Sequence, residues 1–454
     1  MHRPSRAQGT SSGSRRRSPQ AEARKATERR EARRALASAL SSETVDELRA
    51  QTGYNPRQRR ATAFRLVIVV VEAFLFGQTL GFARLRAFFV KRFGDIRARA
   101  FQLRFKSALA AAFFRAVFDR LVLSVAASAV PNLEGPLKIF EDVRTYDGTG
   151  QRVPARGCAE LPACVPGRAG AKCLVGYSLK SGIAEEALQD AETASELPMW
   201  RRLVKELRPN VLYLMDLAFF ERALFAQAKA AGAHLIMRLK KGTKVAVLGH
   251  MYGRRLVPLP GWSLTQYLRF AAQARGTLFD LDVRWGRGHD AVDLRLVGLS
   301  HGGKKGIRWY LTTVSRSALS AEHVVQTYRL RWLIEFLFRE MKQNADIGRS
   351  ATADPNALQA LTYGAMIGHV TVRSLRVMAA MRNDIPLNEL RPLASLHAVR
   401  AFATELADVL LDGDSSTWER FLRSVTAAIV ALAREPKPSR SRPRLSRTLG
   451  AGGG

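Results

Sequence analysis

One short segment of the chain combines residue types that could act together on a phosphodiester. Tyr328, Arg331, Glu335 and Lys342 follow one another at offsets of 3, 4 and 7 residues. At roughly 100° per residue, these side chains fall within about 60° of arc on one face of a helix. The opposite face is apolar and carries Leu330, Leu333, Ile334, Leu337 and Met341. A single carboxylate among cations suits a metal-binding acid that faces a phosphate, although an ion pair between Glu335 and a nearby arginine on the surface is the simpler alternative.

Two aspartates occupy predicted strand ends upstream of that helix. Asp147 follows the strand-like residues 137–146 and opens an Asp-Gly-Thr turn, and Asp216 follows the short apolar run 211–215. Carboxylates at strand ends of an α/β sheet line the crevice where ligands bind. Phosphoryl transfer on DNA can use two divalent ions about 4 Å apart, held by a few carboxylates. Together with Glu335, the two aspartates predict a metal site, whereas each one alone has a simpler explanation as a turn residue or a helix cap.

The segments around these acids alternate between strand and helix patterns. Strands are predicted at residues 137–146, 171–179, 211–215 and 234–239. Helices are predicted at residues 183–195, 200–207 and 219–231, the last ending at Gly232. This alternation favours an α/β fold with a buried sheet.

The rest of the chain divides into basic tails, two helical regions and one strand-rich stretch. Residues 1–35 and 435–454 are basic and polar, and we expect both tails to be disordered. Residues 36–130 are helical, and residues 351–434 form a second helical region. Between them, residues 131–350 hold the predicted catalytic core, with a Gly-rich, strand-like insertion at about 241–318. Helical patterns return at about Ser320.

The first helical region has two open interpretations. It is either a plain helical bundle or a DNA-binding module with phosphate-facing cations. The candidate cations are Arg84, Arg86, Lys91, Arg92, Arg97 and Arg99. The most apolar stretch, residues 66–83, is interrupted by Glu72 and Gln78, so we expect a buried helix there rather than a membrane span.

The charge of the chain favours a polyanionic partner. There are 72 Lys and Arg residues against 39 Asp and Glu residues, which gives a net charge of +33. Nucleic acid is the commonest partner of so basic a protein, and an anionic membrane surface is the alternative. The three cysteines have no fourth metal ligand nearby and no secretory signal precedes them, so we expect reduced thiols in a cytosolic protein.

These motifs together resemble the DDE transposases of the insertion-sequence-four type. The spacing of Tyr328, Arg331, Glu335 and Lys342 matches the Y-R-E-K signature of that family. The Asp-Gly-Thr sequence at residues 147–149 is similar to its first-aspartate motif. The second motif is similar to Asp216 and the residues after it, although the family often has Gly-Tyr where this chain has Ala218-Phe219. The resemblance covers residues 137–345.

The resemblance implies a ribonuclease H-like core that is interrupted by a mostly β insertion. Asp147, Asp216 and Glu335 would hold two Mg²⁺ ions, which Mn²⁺ could replace. Tyr328, Arg331 and Lys342 would grip the DNA end near the scissile phosphate. The reaction would be nicking at transposon ends, followed by attack of the released 3′-hydroxyl on target DNA. A homodimer on double-stranded DNA, in the bacterial cytoplasm at the nucleoid, is the expected assembly.

Two questions stay open at the level of sequence. Asp142 lies five residues before Asp147 and becomes the first acid if the strand is shifted. The same fold also suits a nuclease that cuts without strand transfer, or a DNA-binding protein that has lost activity. The intact set of acids argues against the inactive protein.

Overall fold

The computed structural model describes residues 19–56, 60–77, 81–128, 133–271, 278–300, 306–345 and 348–434. Over these residues the chain forms a mixed sheet in its central region, with helical regions before and after it. This arrangement confirms the α/β fold class that the sequence predicts. The predicted C-terminal tail and residues 1–18 of the predicted N-terminal tail lie outside the described residues.

The described residues before the first strand are mostly helical. The helices are α1 (Pro19–Ala39), α2 (Ser42–Gln51), α3 (Ala63–Leu75), α4 (Phe82–Phe93), α5 (Ala98–Gln102) and α6 (Ala108–Ser128). The disorder expected up to residue 35 is therefore wrong from Pro19 onward. The segment is rich in Ala, Arg and Glu, which favour helix. Ala32, Leu36 and Ala39 of α1 are buried in the core, so tertiary packing stabilises the helix further.

Helix α3 is buried along nearly its whole length. Its one charged residue beyond the first turn, Glu72, pairs with Arg92 of α4 at 2.8 Å, which compensates the buried carboxylate. None of the helices in the described ranges is both long and apolar enough to span a bilayer. A buried helix in the apolar stretch is what the sequence predicts.

The strands of the described residues form one ten-stranded sheet. They are β1 (Asp142–Val153), β2 (Ala169–Ser178), β3 (Ala184–Ala191), β4 (Val211–Met215), β5 (His234–Arg238), β6 (Val245–Tyr252), β7 (Arg255–Ser263), β8 (Leu278–Trp285), β9 (Val292–Ser300) and β10 (Ile307–Thr312). Their order across the sheet is β3-β2-β1-β4-β5-β10-β9-β8-β6-β7. Strands β1, β4 and β5 run parallel, and the other pairs are antiparallel.

The first five strands have a ribonuclease H-like arrangement, in which three antiparallel strands are followed by two parallel ones. Strands β6 to β10 lie between β5 and the helix that carries Glu335, where the sequence places an insertion. They extend the core sheet, because β10 pairs with β5 through Tyr310, Leu311 and Thr312.

Two predicted elements are wrong next to the site. Strand β1 does not end before Asp147 but continues through the expected Asp-Gly-Thr turn, because residues 144–153 pair with β2. Residues 184–191 form strand β3 instead of a polar helix. Their Ala and Glu content favours helix locally, but their backbone pairs with β2, and such tertiary hydrogen bonds override a weak propensity.

The remaining helices lie between the strands and after the last one. They are α7 (Glu196–Leu203), α8 (Arg222–Ala230), α9 (Leu264–Ala271), α10 (Ala321–Arg329), α11 (Leu333–Ala345), α12 (Pro355–Asn383), α13 (Pro392–Arg400), α14 (Ala403–Asp412) and α15 (Ser415–Ala433). Helix α12 is almost entirely buried and packs against α3 and α6. Its Gly368 lies against Phe74 of α3, an approach that a larger residue would block. The helical regions from the two ends of the chain therefore share one core.

Candidate active site

The site begins with two neighbouring parallel strands. In the pairing of β1 with β4, Thr145 stands opposite Leu214. Two residues further along each strand, the same register sets Asp147 beside Asp216. Asp216 directly follows β4, and Asp147 lies within β1. Parallel pairing therefore brings together two carboxylates that are 69 positions apart in the sequence.

The segment that carries the third acid is not one straight helix. Helix α10 ends at Arg329, a 3-10 turn spans Leu330–Trp332, and α11 begins at Leu333. Glu335 is in the first turn of α11, and Lys342 is exposed in its last turn. The predicted apolar face is confirmed, since Ile334, Leu337 and Met341 are buried.

Tyr328 faces the protein rather than solvent. It is only 5% exposed, and its hydroxyl donates a hydrogen bond to the backbone carbonyl of Met215 at 3.1 Å. Met215 is the residue before Asp216. Burial, followed by the nearby charge of Asp216, raises the pKa of Tyr328 to about 12. The tyrosine therefore joins helix α10 to the end of β4, and in this position it supports Asp216.

Arg331 links the predicted acids. Its Nη2 donates a hydrogen bond to Glu335 Oε1 at 3.0 Å, and its Nη1 lies 3.7 Å from Asp147 Oδ2. The side chain is largely buried. Burial acts to lower its pKa, but the charge of Asp216, together with Glu335 and Asp147, raises the pKa overall. One guanidinium therefore interacts with all three predicted acids.

The carboxyl group of Asp147 is hard to ionise in this setting. Burial raises its pKa from the ordinary value of 3.8 to about 6. The Gly148 N–H, which donates to Asp147 Oδ1 at 2.8 Å, and the Arg331 guanidinium act in the opposite direction. The charges of Glu196 and Asp216 raise the pKa further. A carboxylate crowded by other carboxylates is stabilised by any cation placed among them.

Asp142, the alternative first acid, is placed away from this group. It stands opposite Val211, the first residue of β4, while Asp216 follows the other end of that strand. Its carboxylate is fully engaged in a buried network. It accepts hydrogen bonds from Val143 N, Arg144 Nε, Ser178 Oγ and Lys180 N. Strand register therefore separates Asp142 from the site and gives it a structural role.

Comparison with known protein families identifies the family of the chain. A family profile described as the transposase DDE domain matches residues 139–370, which is about half of the chain. The chain belongs to this family. Its activity is accordingly of the transposase type, with DNA as the partner that is cleaved. The matched range includes Asp147, Asp216 and Glu335. No curated protein gives a significant match to the chain.

The donor chemistry of this DDE domain fits a divalent ion, which the family generally uses. Mg²⁺ and Mn²⁺ prefer oxygen ligands, and Asp147, Asp216 and Glu335 supply only carboxylates. Across the described ranges, no three His, Cys, Asp or Glu side chains are already grouped as a metal site. Arg331 interacts with all three carboxylates, so ion binding would require side-chain rearrangement around its guanidinium.

A fourth carboxylate of the DDE domain escapes detection in the sequence. Glu196 begins helix α7, and its charge acts on both Asp147 and Asp216. The sequence predicts a helix at residues 183–195, so Glu196 falls in a predicted loop after that helix and is not recognised as a site residue. Glu196 begins the first helix between β1 and β4, the two strands that carry the aspartates. A correct prediction of that helix start would have indicated Glu196.

The insertion places a basic cleft beside the DDE core. The cleft has a volume of about 1260 Å³ and lies among β5, β6, β8 and β10. Its cationic lining residues are Arg222, Arg238, Lys240, Lys241, Lys244, Arg284, Arg287 and Arg308. Such a concentration of cations suits a phosphate backbone.

The cations predicted for the N-terminal region divide into two sets. Arg92 is paired with Glu72 and Asp408, and Arg86 is paired with Asp95 at 2.8 Å. These two stabilise the helical core and its surface. The cations that remain exposed are Arg84, Lys91, Arg97 and Arg99. Of the six cations, these four are the ones whose side chains are open to a phosphate, if the region binds DNA.

Proposed function

We propose that the chain is an insertion-sequence transposase of the insertion-sequence-four type. In this proposal it binds transposon ends, cleaves them with two divalent ions and joins the released 3′-ends to target DNA. The observation that carries the proposal is the parallel register that sets Asp147 beside Asp216. The Tyr-Arg-Glu-Lys spacing from Tyr328 to Lys342 supports the assignment to this type.

In this mechanism, the three acids Asp147, Asp216 and Glu335 hold two Mg²⁺ ions, which Mn²⁺ could replace. When bound, such ions activate an attacking water or hydroxyl and stabilise the leaving oxygen. The rigid pairing of β1 with β4 positions the two aspartates. Glu335 approaches from α11, where its carboxylate accepts a hydrogen bond from Arg331 while no ion is bound.

The other signature residues act around the acids. Tyr328 fixes the end of β4 through the Met215 carbonyl and so positions Asp216. Arg331 presents a guanidinium whose planar donors suit both carboxylates and the scissile phosphate. Lys342 is exposed in the last turn of α11 and can contact the DNA backbone as a point charge.

The partners follow from the reaction. Both the transposon ends and the target are double-stranded DNA, which agrees with the net charge of +33. Two ends must be joined to one target, so we propose a homodimer on DNA. The protein would act at the nucleoid of a bacterial cytoplasm.

A strand-transfer assay tests the proposal. The purified full chain is mixed with DNA that carries the inverted repeats flanking its gene, with Mg²⁺ and a target plasmid. We expect cleaved ends and joined products, and we expect Glu335→Gln to lose both by roughly 1000-fold. The matched control is Glu322→Gln in α10, whose side chain is exposed, and it should remain active.

Other outcomes of this assay would contradict the proposal. Cleavage without joined products would mark a nuclease of the same fold. Binding without cleavage would mark a protein that has lost its activity. Full cleavage by Glu335→Gln would show that the catalytic acids are assigned incorrectly.

A further inference from the structure

Glu196 lies over the backbone of the strand that carries Asp147. A Cβ added at Gly148 would lie 2.6 Å from Glu196 Oε1, which is closer than real Cβ atoms come to their neighbours. Gly148 is the residue after Asp147, so the glycine leaves open the space that the glutamate fills. At Gly150, two residues further along β1, an added Cβ would have its nearest neighbour at 4.0 Å. Along β1, the close approach therefore occurs at the glycine beside the aspartate and not at Gly150.

We propose that Glu196 is a fourth carboxylate ligand of the site and shares a divalent ion with Asp147 and Asp216. The inference rests on the proposed function, because it takes the two aspartates as metal ligands. It assigns to Glu196 a role outside the Asp-Asp-Glu set that the sequence motifs contain.

The charges around Glu196 support this role. Glu196 is partly buried and lies near enough to Asp147 and Asp216 for their charges to interact. These like charges repel one another where water is partly excluded. A divalent cation among them would offset this repulsion.

The cation already nearby compensates Glu196 only in part. Lys172 Nζ lies 4.0 Å from Glu196 Oε1, which is beyond hydrogen-bond distance. The same ammonium donates a hydrogen bond to the carbonyl of Ala194 at 2.7 Å, which holds it in place. Glu196 thus keeps carboxylate oxygens for another ligand.

A purely structural role for Glu196 makes a different prediction. Acids in the first turn of a helix stabilise it through the helix dipole, and Glu196 is in the first turn of α7. That role requires no approach to Gly148 and no link to ion binding. Substitution would then change the stability of the protein without changing its affinity for metal ions.

Ion binding by the DNA-free full chain distinguishes these roles. Mn²⁺ binding is measured by titration calorimetry and by the electron paramagnetic resonance signal of the free ion. We expect Glu196→Gln to weaken the tighter Mn²⁺ site by roughly tenfold or more, because one charged ligand is lost. The matched control is Glu192→Gln, a half-buried glutamate just before the same helix, whose Mn²⁺ affinity should equal that of the parent.

A steric pair of variants tests the same contact without changing any charge. Gly148→Ala should displace the Glu196 carboxylate and weaken Mn²⁺ binding, whereas Gly150→Ala should not. This pair also keeps the proposal testable if Glu196→Gln folds poorly, as judged by circular dichroism and thermal unfolding.

The outcomes separate this inference from the proposed function. If Glu196→Gln and Gly148→Ala bind Mn²⁺ like the parent while Asp147→Asn does not, Glu196 is no ligand and the two aspartates keep their role. Slower DNA cleavage by Glu196→Gln at unchanged Mn²⁺ affinity would likewise overturn the ligand role. If Asp147→Asn also binds Mn²⁺ like the parent, the proposed metal site itself is wrong.

Discussion

Arg331 and Glu335 are joined by a hydrogen bond of 3.0 Å between successive turns of the segment that carries the Tyr-Arg-Glu-Lys signature. The same guanidinium lies 3.7 Å from the Asp147 carboxylate and interacts electrostatically with Asp216. Its Nε is buried and, in the described part of the chain, has no hydrogen-bond partner. The arginine is thus attracted to the carboxylates that we propose as metal ligands. Its Nε–H group remains available as a hydrogen-bond donor.

The first prediction concerns this competition between Arg331 and metal ions. Arg331→Gln should bind Mn²⁺ several times more tightly in the absence of DNA, because a positive charge near the carboxylates is removed. Its DNA cleavage should fall by roughly 100-fold, because a cation that stabilises charge on the phosphate is lost. Calorimetry and a cleavage assay measure the two effects.

Arg339→Gln on the exposed face of α11 is the matched control and should change neither quantity by much. If Arg331→Gln instead weakens Mn²⁺ binding, the guanidinium positions the carboxylates rather than competing for them.

The second prediction is a pH dependence that arises from Asp147. Its pKa is raised from 3.8 to about 6 in the folded chain, so the unfolded chain loses this proton first as the pH rises. The free energy of unfolding should therefore decline between about pH 4 and pH 6 and stay lower above that range. The pKa difference corresponds to roughly 3 kcal/mol, and partial exposure reduces the expected effect to about 2 kcal/mol.

Asp147→Asn removes this decline. Measured by urea unfolding in EDTA, the variant should be more stable than the parent at pH 8 and equal to it near pH 4. Asp142→Asn is the contrasting variant. It should lose about 3 kcal/mol, because Asp142 is buried against Arg144 at 2.9 Å. If both variants showed the same free energy of unfolding at each pH, the separation of Asp142 from the site would be contradicted.

The third prediction distinguishes support from DNA contact at Tyr328. Tyr328→Phe should lower the free energy of unfolding by about 1 kcal/mol, because the Met215 carbonyl loses its hydrogen bond. Cleavage should slow while the affinity for end DNA stays unchanged, because the hydroxyl faces the end of β4. A large loss of DNA affinity with unchanged stability would show that the hydroxyl binds DNA directly. Urea unfolding, a cleavage assay and fluorescence anisotropy supply the three quantities.

The fourth prediction concerns Lys342, which is exposed in the last turn of α11. Lys342→Ala should weaken binding of end DNA and reduce the slope of log affinity against log salt by about 1, as expected for one lost phosphate contact. Affinities measured across a KCl series give this slope. Lys138→Ala is the control, because Lys138 is exposed before β1 begins and lies outside the Tyr-Arg-Glu-Lys segment. An equal loss in both variants would mean that Lys342 acts only through the net charge.

The sequence by itself determined the local features of the site. The apolar run before Asp216 predicts a buried strand, and β4 is that strand. Gly232 ends a predicted helix and adopts a positive φ of 65°, which suits glycine. The spacing from Tyr328 to Lys342 separates an apolar face from a polar one, and the buried residues of α11 follow it. These features depend on neighbours within a few residues, so periodicity and turn chemistry report them directly.

Only the tertiary structure decided how the acids combine. Asp147 lies within a continuous strand and not in a turn, because β2 pairs with both sides of it. Pairing with β2 also makes a strand of residues 184–191, and this moves the start of α7 to Glu196. Tyr328 of α10 is buried, and its hydroxyl donates to the carbonyl of Met215 at the end of β4.

Each of these features depends on contacts between residues that are distant in the chain. A local sequence pattern does not report such contacts. The choice of Asp147 over Asp142 is of the same kind. Both are aspartates in one strand, and only the register against β4 places one of them beside Asp216.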